Sequence, residues 1–293
     1  MALRHGALEY QGVFKMNLYI TPLLFFRTFI LTCMLGFVAA CDYELSPWTT
    51  EAYCPGMDIK SNIARLKSIE QLRGDSSQFK FAVIGDPQQY PKDLSDTITH
   101  INRKNNIDFI VLLGDIAETG IAQEFEWACK ALSRSEQPVL AVIGNHDALS
   151  FGQQIWHNNF GPEDYSFSFM GTKFVAFNNN KYEYPDAPNI SFLESEAALD
   201  ENVPRNLTIG FSHIQPWSDQ PNLSRQLKSF GYDHMFHAHE HKFKYWQYQD
   251  VELPHYIVAH TRFVNYAIVE VNQGALSVTQ CEPKCFPAEL ESR

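Results

Sequence analysis

The chain has 293 residues, 45% of them hydrophobic and 19% charged, which suits one large globular domain or two small ones and excludes a disordered or fibrous protein. With 34 acidic against 23 basic residues it carries −11 at pH 7, a field that repels polyanions at long range and argues against binding a nucleic acid polymer. A small anionic substrate can still reach a local cationic site.

The first forty residues differ in kind from the rest. TFILTCMLGFVAAC, residues 28–41, is an uncharged run after Arg27 that closes on small residues. It is too short to span a bilayer comfortably. It has the pattern of a secretory signal peptide, with Lys15 and Arg27 as its basic flank and Met16 as a second possible start. Its end, Val38 to Cys41, resembles the bacterial lipobox, whose cysteine becomes the lipidated first residue of the mature protein. That resemblance implies a membrane anchor at Cys41 and an exported protein in a bacterial cell envelope. Asp42 further implies the periplasmic side of the inner membrane.

Loss of residues 1–40 removes Arg4, Lys15, Arg27 and Glu9, leaving 20 basic and 33 acidic residues, or −13. Export permits disulfides among Cys54, Cys129, Cys281 and Cys285, and the CEPKC pair at 281–285 is the one expected to bridge. The sequons at Asn189, Asn206 and Asn222 carry no expectation, since a lipobox implies a bacterium.

Residues 41–77 read as a tether with a short helix near 58–72. From Phe79 the pattern changes. FKFAVIG (79–85), DFIVLLG (108–114) and PVLAVIG (138–144) are short apolar runs ended by glycine. Between them, DLSDTITHINRKN (93–105) and AQEFEWACKALSR (122–134) have helical spacing. Strand, helix, strand, helix, strand implies parallel pairing with right-handed crossovers. Continuous hydrophobicity in the three runs implies a sheet covered on both faces.

Further on, YSFSFM (165–170) and KFVAFNN (173–179) read as a hairpin around Gly171. LTIGFSH (207–213), DHMFHA (233–238), FKYWQYQ (243–249), HYIVAH (255–260), VNYAIVEV (264–271) and ALSVTQ (275–280) read as strands, with helices near 191–200 and 222–230. One α/β domain over 78–281, two packed sheets with flanking helices, accounts for this, with residues 282–293 left as a tail.

Each early strand stops at a glycine followed by polar residues: Gly85 to Gln88, Gly114 to Glu118 and Gly144 to Asp147. One such cluster is no more than a turn. Three in register, at the carboxyl ends of buried parallel strands, mark the edge where an open α/β sheet collects ligand groups. Two later clusters add imidazoles, His213 after a strand and His234, His237, His239 and His241 in YDHMFHAHEHKF. Alternation along a strand places His237, His239 and His241 on one face. Imidazole with carboxylate and amide oxygen suits divalent ions such as Mn, Fe or Zn. His100, His157 and His255 read as packing or surface residues.

Taken together, this order of motifs over about 200 residues resembles the calcineurin-like metallophosphoesterases. The resemblance implies a four-layer αββα sandwich of two mixed sheets flanked by helices, with two divalent metal ions (Mn, Fe, Zn or Mg) between the strand ends. It implies Asp86 on the first metal, Asp115 bridging both, and Asn145 and His213 on the second. Two positions depart from the family pattern. Asp86-Pro87-Gln88 stands where most members have Asp-x-His, so Gln88 would offer an amide oxygen to the first metal, a weaker ligand for a soft ion. The Gly-His-x-His motif falls on either 236–239 or 238–241. Family spacing from Asp233 favours His239 on the second metal and His241 on the first, with His237 as the alternative.

By the same resemblance, a hydroxide bridging the metals attacks a phosphate mono- or diester while His146 assists at the substrate. Asp147 either orients the His146 imidazole or caps a helix. No nucleophile elbow or Cys/His signature competes. Trp217 and Tyr182 could stack on a substrate ring, and Glu118 could hydrogen-bond behind the ligands. The rival reading is a fold of this family without turnover that serves as a binding module.

Overall fold

A computed structural model describes Phe29 and residues 48–74, 78–104, 106–198, 206–216, 221–282, 284–289 and 291–292. Cys41 and Trp217 lie outside the described residues. Residues 47–293 form one compact unit. Among the described residues no helix is long and apolar enough to cross a membrane.

The first sheet grows from the three apolar runs. β1 (Gln78–Ile84), β2 (Phe109–Leu112) and β3 (Val139–Ala141) are parallel neighbours. Helices α2 (Pro91–Asn102) and α3 (Ala122–Leu132) connect them. On the other side of β1, β10 (Tyr266–Asn272) pairs antiparallel and is followed by β11 (Ala275–Cys281) and β12 (Cys285–Pro287).

Among the described residues the second sheet has seven strands. The hairpin around Gly171 is β4 (Tyr165–Phe169) with β5 (Thr172–Ala176). β6 (Leu207–Phe211), β7 (His234–His237) and β9 (His255–Ile257) continue in parallel, and β8 (Lys244–Gln247) and β13 (Glu291–Ser292) close the edge.

Phenylalanines hold the two sheets face to face. Phe81 stacks on Phe109 with centroids 4.9 Å apart. From the opposing sheet, Phe174, Phe211 and Phe236 reach Phe81 at 5.7, 6.0 and 6.1 Å. Burying each such ring is worth roughly 1.5–3 kcal/mol, so the inner faces are firmly joined. On the outer face of the second sheet, α5 (Ile190–Ala197) and α6 (Pro221–Phe230) form a second core: Leu193, Ala197, Leu223 and Leu227 meet Val175, Phe177 and Met235. The expected α/β sandwich of two mixed sheets with flanking helices is therefore the architecture.

At its ends the domain runs beyond 78–281. α1 (Ile59–Arg73), capped by Asp58, which accepts from the Ser61 amide at 2.7 Å, buries Ile59 and Leu66 in the main core. A disulfide joins Cys54 to Cys129 on α3 across 75 positions. Residues 54–73 are thus part of the packed body, not a tether. The tail pairs as β12 and β13, and the Cys281–Cys285 bridge closes the β11–β12 turn as the CEPKC spacing led us to expect. Helix α4 (Gly152–Asn159) went unanticipated, because its short polar stretch has only Ile155 and Trp156 as apolar anchors.

Candidate metal centre

The strand ends deliver their polar residues through unusual backbone. Asp86 and Asp115 follow β1 and β2 with φ of 49° and 54°, a left-handed region that aspartate tolerates better than most residues. Backbone bonds tie the two loops: the Asp86 amide donates to the Gly114 carbonyl at 3.1 Å and the Gln88 amide to the Asp115 carbonyl at 3.0 Å. A Cβ on Gly144 would collide with the Asp115 carboxylate and backbone. Glycine at that place lets the third loop close on the second.

The donors sort into two groups that share Asp115. Asp115, His213 and His239 form one, and Asp86, Asp115 and His241 the other, with the ligand atoms of each within 4.8 Å of one another. In the first, His213 Nε2 lies 3.1 Å from Asn145 Oδ1, 3.2 Å from Asp115 Oδ2 and 3.3 Å from His239 Nδ1. His239 Nδ1 is also 3.1 Å from Asn145 Oδ1. In the second, His241 Nε2 lies 3.6 Å from Asp86 Oδ1 and 3.5 Å from Gln88 Nε2.

Electrostatics says what these groups lack. Burial pushes the Asp86 carboxyl well above the usual carboxylate range. Burial alone would lower His213, but the neighbouring Asp115 charge outweighs it and raises the imidazole to about 9. The same pairing holds Asp115 below its ordinary value despite its burial. Burial and the nearby His213 bring His239 down to about 4, while burial and His260 lower His241. A proton on His213 therefore supplies positive charge that the cluster of carboxylates demands.

The donor set fits divalent cations. His213 Nδ1 is 2.6 Å from the Leu113 carbonyl, which can only accept, so Nδ1 carries hydrogen and Nε2 is the atom turned to the cluster. Neutral imidazole, carboxylate and amide oxygen are the donors such ions use. Gln88 departs in detail: its Nε2 faces Asp115 Oδ2 at 3.2 Å, and its Oε1 is buried without a partner. A half-turn of the amide would exchange the two and present oxygen to a cation.

The calcineurin-like phosphoesterase family profile matches residues 79–243, more than half of the chain. The chain belongs to the calcineurin-like phosphoesterase family. Among solved structures, the fold is similar to a dimetal phosphatase from Danio rerio (TM-score 0.57, 12% identity, covering 71% of this chain and 98% of that one). It is similar also to the purple acid phosphatase PPD1 from yellow lupin, Lupinus luteus (0.57, 9%, 74% and 54%). A third likeness is to GAP50, described as the anchor in the inner membrane complex of Plasmodium (0.54, 13%, 69% and 84%). Among curated protein sequences none matches.

Asp147 neither orients the His146 imidazole nor caps a helix. It is fully buried and accepts from the Ala117 amide at 2.8 Å and the Gly144 amide at 2.9 Å, clamping the second and third loops together. Burial and the Asp115 charge raise it to about 7. Both of its carboxylate oxygens are engaged by these amides. His146 is instead oriented by the Glu118 carbonyl, 2.7 Å from Nδ1, while its amide donates to Asp115 at 3.0 Å.

His237 does not share a face with His239 and His241. β7 ends at His237, and the next two histidines sit in a loop with φ of 68° and 59°. His237 points into a buried chain, 2.9 Å from Ser212 Oγ and 2.9 Å from His255 Nδ1, and so is no alternative donor. Tyr182 is 79% exposed with Lys181 over its ring. His100 meets the Tyr266 hydroxyl and His157 meets Glu163, away from the donors. One residue beside the centre went unremarked: His260, whose ring packs 5.5 Å from that of His241. It stands directly after the apolar run YIVA (256–259), without the glycine that ends the three early strands.

Proposed function

We propose that this chain is an exported, lipid-anchored phosphoesterase that hydrolyses a small phosphate mono- or diester. Its two divalent ions would be held by Asp86, Gln88, Asp115 and His241, and by Asp115, Asn145, His213 and His239. The observation that carries this reading is the place of Asp115 in both donor groups with the amide of His146 bound to the same carboxylate. Divalent ions bound there would polarise phosphoryl oxygens and lower the pKa of a water bound with them.

The chain's own residues do the rest. Asp115, held ionised by His213, supplies the shared anionic oxygen, and Asn145 adds a neutral one that keeps the site from repelling a phosphate. Asp147 fixes the spacing of the loops through two backbone amides. In His146, Nδ1–H is engaged by the Glu118 carbonyl, so Nε2 is the atom available to substrate. Burial alone would lower this imidazole, but the bond to Glu118 and the charges of Asp115, Glu118 and Asp147 raise it. A protonated imidazole near neutral pH suits delivery of a proton to the leaving oxygen.

Two disulfides among the described residues favour an oxidising compartment, which supports export and, with the lipobox, anchoring at Cys41 on the periplasmic side of the inner membrane. Incorporation of labelled palmitate that disappears in Cys41→Ser tests the anchor; unchanged labelling removes it. Gln88 favours a second reading, a binding module without turnover, since its amide nitrogen faces Asp115. Metal per chain and turnover of a chromogenic phosphate monoester and a chromogenic diester with added Mn decide between the two. Two ions with metal-dependent turnover support the enzyme; one or none, without turnover, supports the module.

A further inference from the structure

The segment after β9 is strained where it borders the donors. Phe263 and Val264 have φ of 63° and 65°, a left-handed conformation that a β-branched residue rarely adopts. The segment is nevertheless pinned. His260 bridges Gly85, the Thr261 amide donates to the Gly85 carbonyl at 3.0 Å, and Thr97 Oγ1 donates to the Thr261 carbonyl at 3.3 Å. Gly85 immediately precedes Asp86, so the strained turn is anchored beside the first donor group. Strain held in place by surrounding bonds next to a site is a pattern of functional loops.

What the turn presents is a guanidinium. Arg262 is exposed and lies over the Tyr90 ring at 4.9 Å and the Phe263 ring at 4.6 Å, and it donates to the Tyr90 hydroxyl at 3.4 Å. No ion pair involving it occurs among the described residues. The rings continue inward: Tyr90 is 6.1 Å from His260, and His260 is 5.5 Å from His241. His260 Nδ1 is buried without a hydrogen-bond partner. In a chain of −11, a cation held by two rings and paired with no carboxylate among the described residues is suited to receive an anion. Stacking orients the planar fork while leaving its edge N–H groups to a ligand.

We propose that Arg262, with His260 behind it, binds the phosphoryl group of the substrate from the rim of the metal centre and makes this site selective for phosphate monoesters over diesters. The inference rests on the phosphoesterase reading and adds the substrate class to it. A monoester brings three acceptor oxygens and about −2 charge near neutral pH. A diester has one terminal oxygen and one charge fewer. Cations held by the donor groups around Asp115 would take up phosphoryl oxygen, and only the monoester would keep a further charged oxygen for a guanidinium outside them.

The test uses the full chain with Mn, comparing wild type with Arg262→Gln and Arg262→Lys. Three quantities are measured: the affinity for inorganic phosphate by calorimetry, the ratio of kcat/KM for 4-nitrophenyl phosphate to that for bis(4-nitrophenyl) phosphate, and metal per chain. Arg262→Gln is expected to weaken phosphate binding at least tenfold and to lower the monoester-to-diester ratio at least tenfold, chiefly through KM, with metal per chain unchanged. Arg262→Lys, which keeps the charge but loses the fork, should fall between. Phosphate affinity unaltered by Arg262→Gln, or absent in the wild type, overturns the assignment. Phosphate binding that depends on Arg262 in a protein that turns over no ester would uphold the receptor and refute the hydrolase.

Discussion

In the metal-free protein the proton on His213 occupies the place of a cation, and this has a measurable cost as pH rises. The imidazole is fully buried and raised from 6.5 to about 9. A group whose folded pKa exceeds its unfolded value stabilises the fold fully below the unfolded pKa and loses that contribution as pH climbs toward the folded one. Between pH 6.5 and 8.5 the loss from His213 alone comes to about 2 kcal/mol, taking 1.36 kcal/mol per unit. His146, also raised, acts in the same sense. His234, His237 and His239, lowered chiefly by burial to about 4, 3 and 4, act in the opposite sense, mostly below pH 6.5, where stability rises with pH. For a domain of this size the melting temperature should drop roughly 4–8 °C across that window. Calorimetric melts in EDTA and in saturating Mg at the two pH values read it directly. The metal-free protein should lose stability while the Mg-loaded protein does not. Parallel pH profiles with and without metal would refute the assignment of His213 to the cation site.

Other substitutions separate roles within the centre. His146→Ala should reduce kcat by about 10²–10⁴ while metal per chain, measured by mass spectrometry, stays at the wild-type level; Asp115→Asn should empty the site. Gly144→Ala should abolish metal uptake and cost about 1–3 kcal/mol, because the added Cβ meets the Asp115 carboxylate; normal metal content in that variant would show the loops to be more yielding than described. Removing the Cys54–Cys129 bridge by double serine substitution should cost about 4 kcal/mol in denaturant melts, from the entropy of a loop closed over 75 positions. A loss below about 1 kcal/mol would mean that packing of α1 alone anchors this segment.

How far the sequence could be read depended on whether a feature is local. The runs around Phe81, Phe109 and Leu140 declared buried parallel strands because, Lys80 apart, nothing polar interrupts them, and their terminal glycines located Asp86, Asp115 and Asn145 in one rim. Pairing across long separations left no such trace. That β10 would flank β1, or that Cys54 would reach Cys129, depends on tertiary packing and on no pattern within either segment. The histidine cluster misled through an assumption of regularity. Alternation holds only while the strand lasts, and β7 ends at His237, so that residue turned inward to Ser212 and His255 while His239 and His241 reached the rim through left-handed backbone. Asp147 misled differently. Its neighbours in sequence suggested an imidazole partner, but the groups in greatest need of an acceptor were the buried amides of Ala117 and Gly144, brought to it from two loops by the fold. His260 and Arg262 also follow an apolar run, but without the glycine that ends the three early strands.

The central claim is that Asp115 lies between two cations. Anomalous diffraction from crystals soaked in Mn tests it most directly. The account predicts two peaks about 3.5–4 Å apart, one on each side of the Asp115 carboxylate, the first next to Asp86 and His241 and the second next to Asn145, His213 and His239. A single peak, or peaks distant from Asp115, would contradict it.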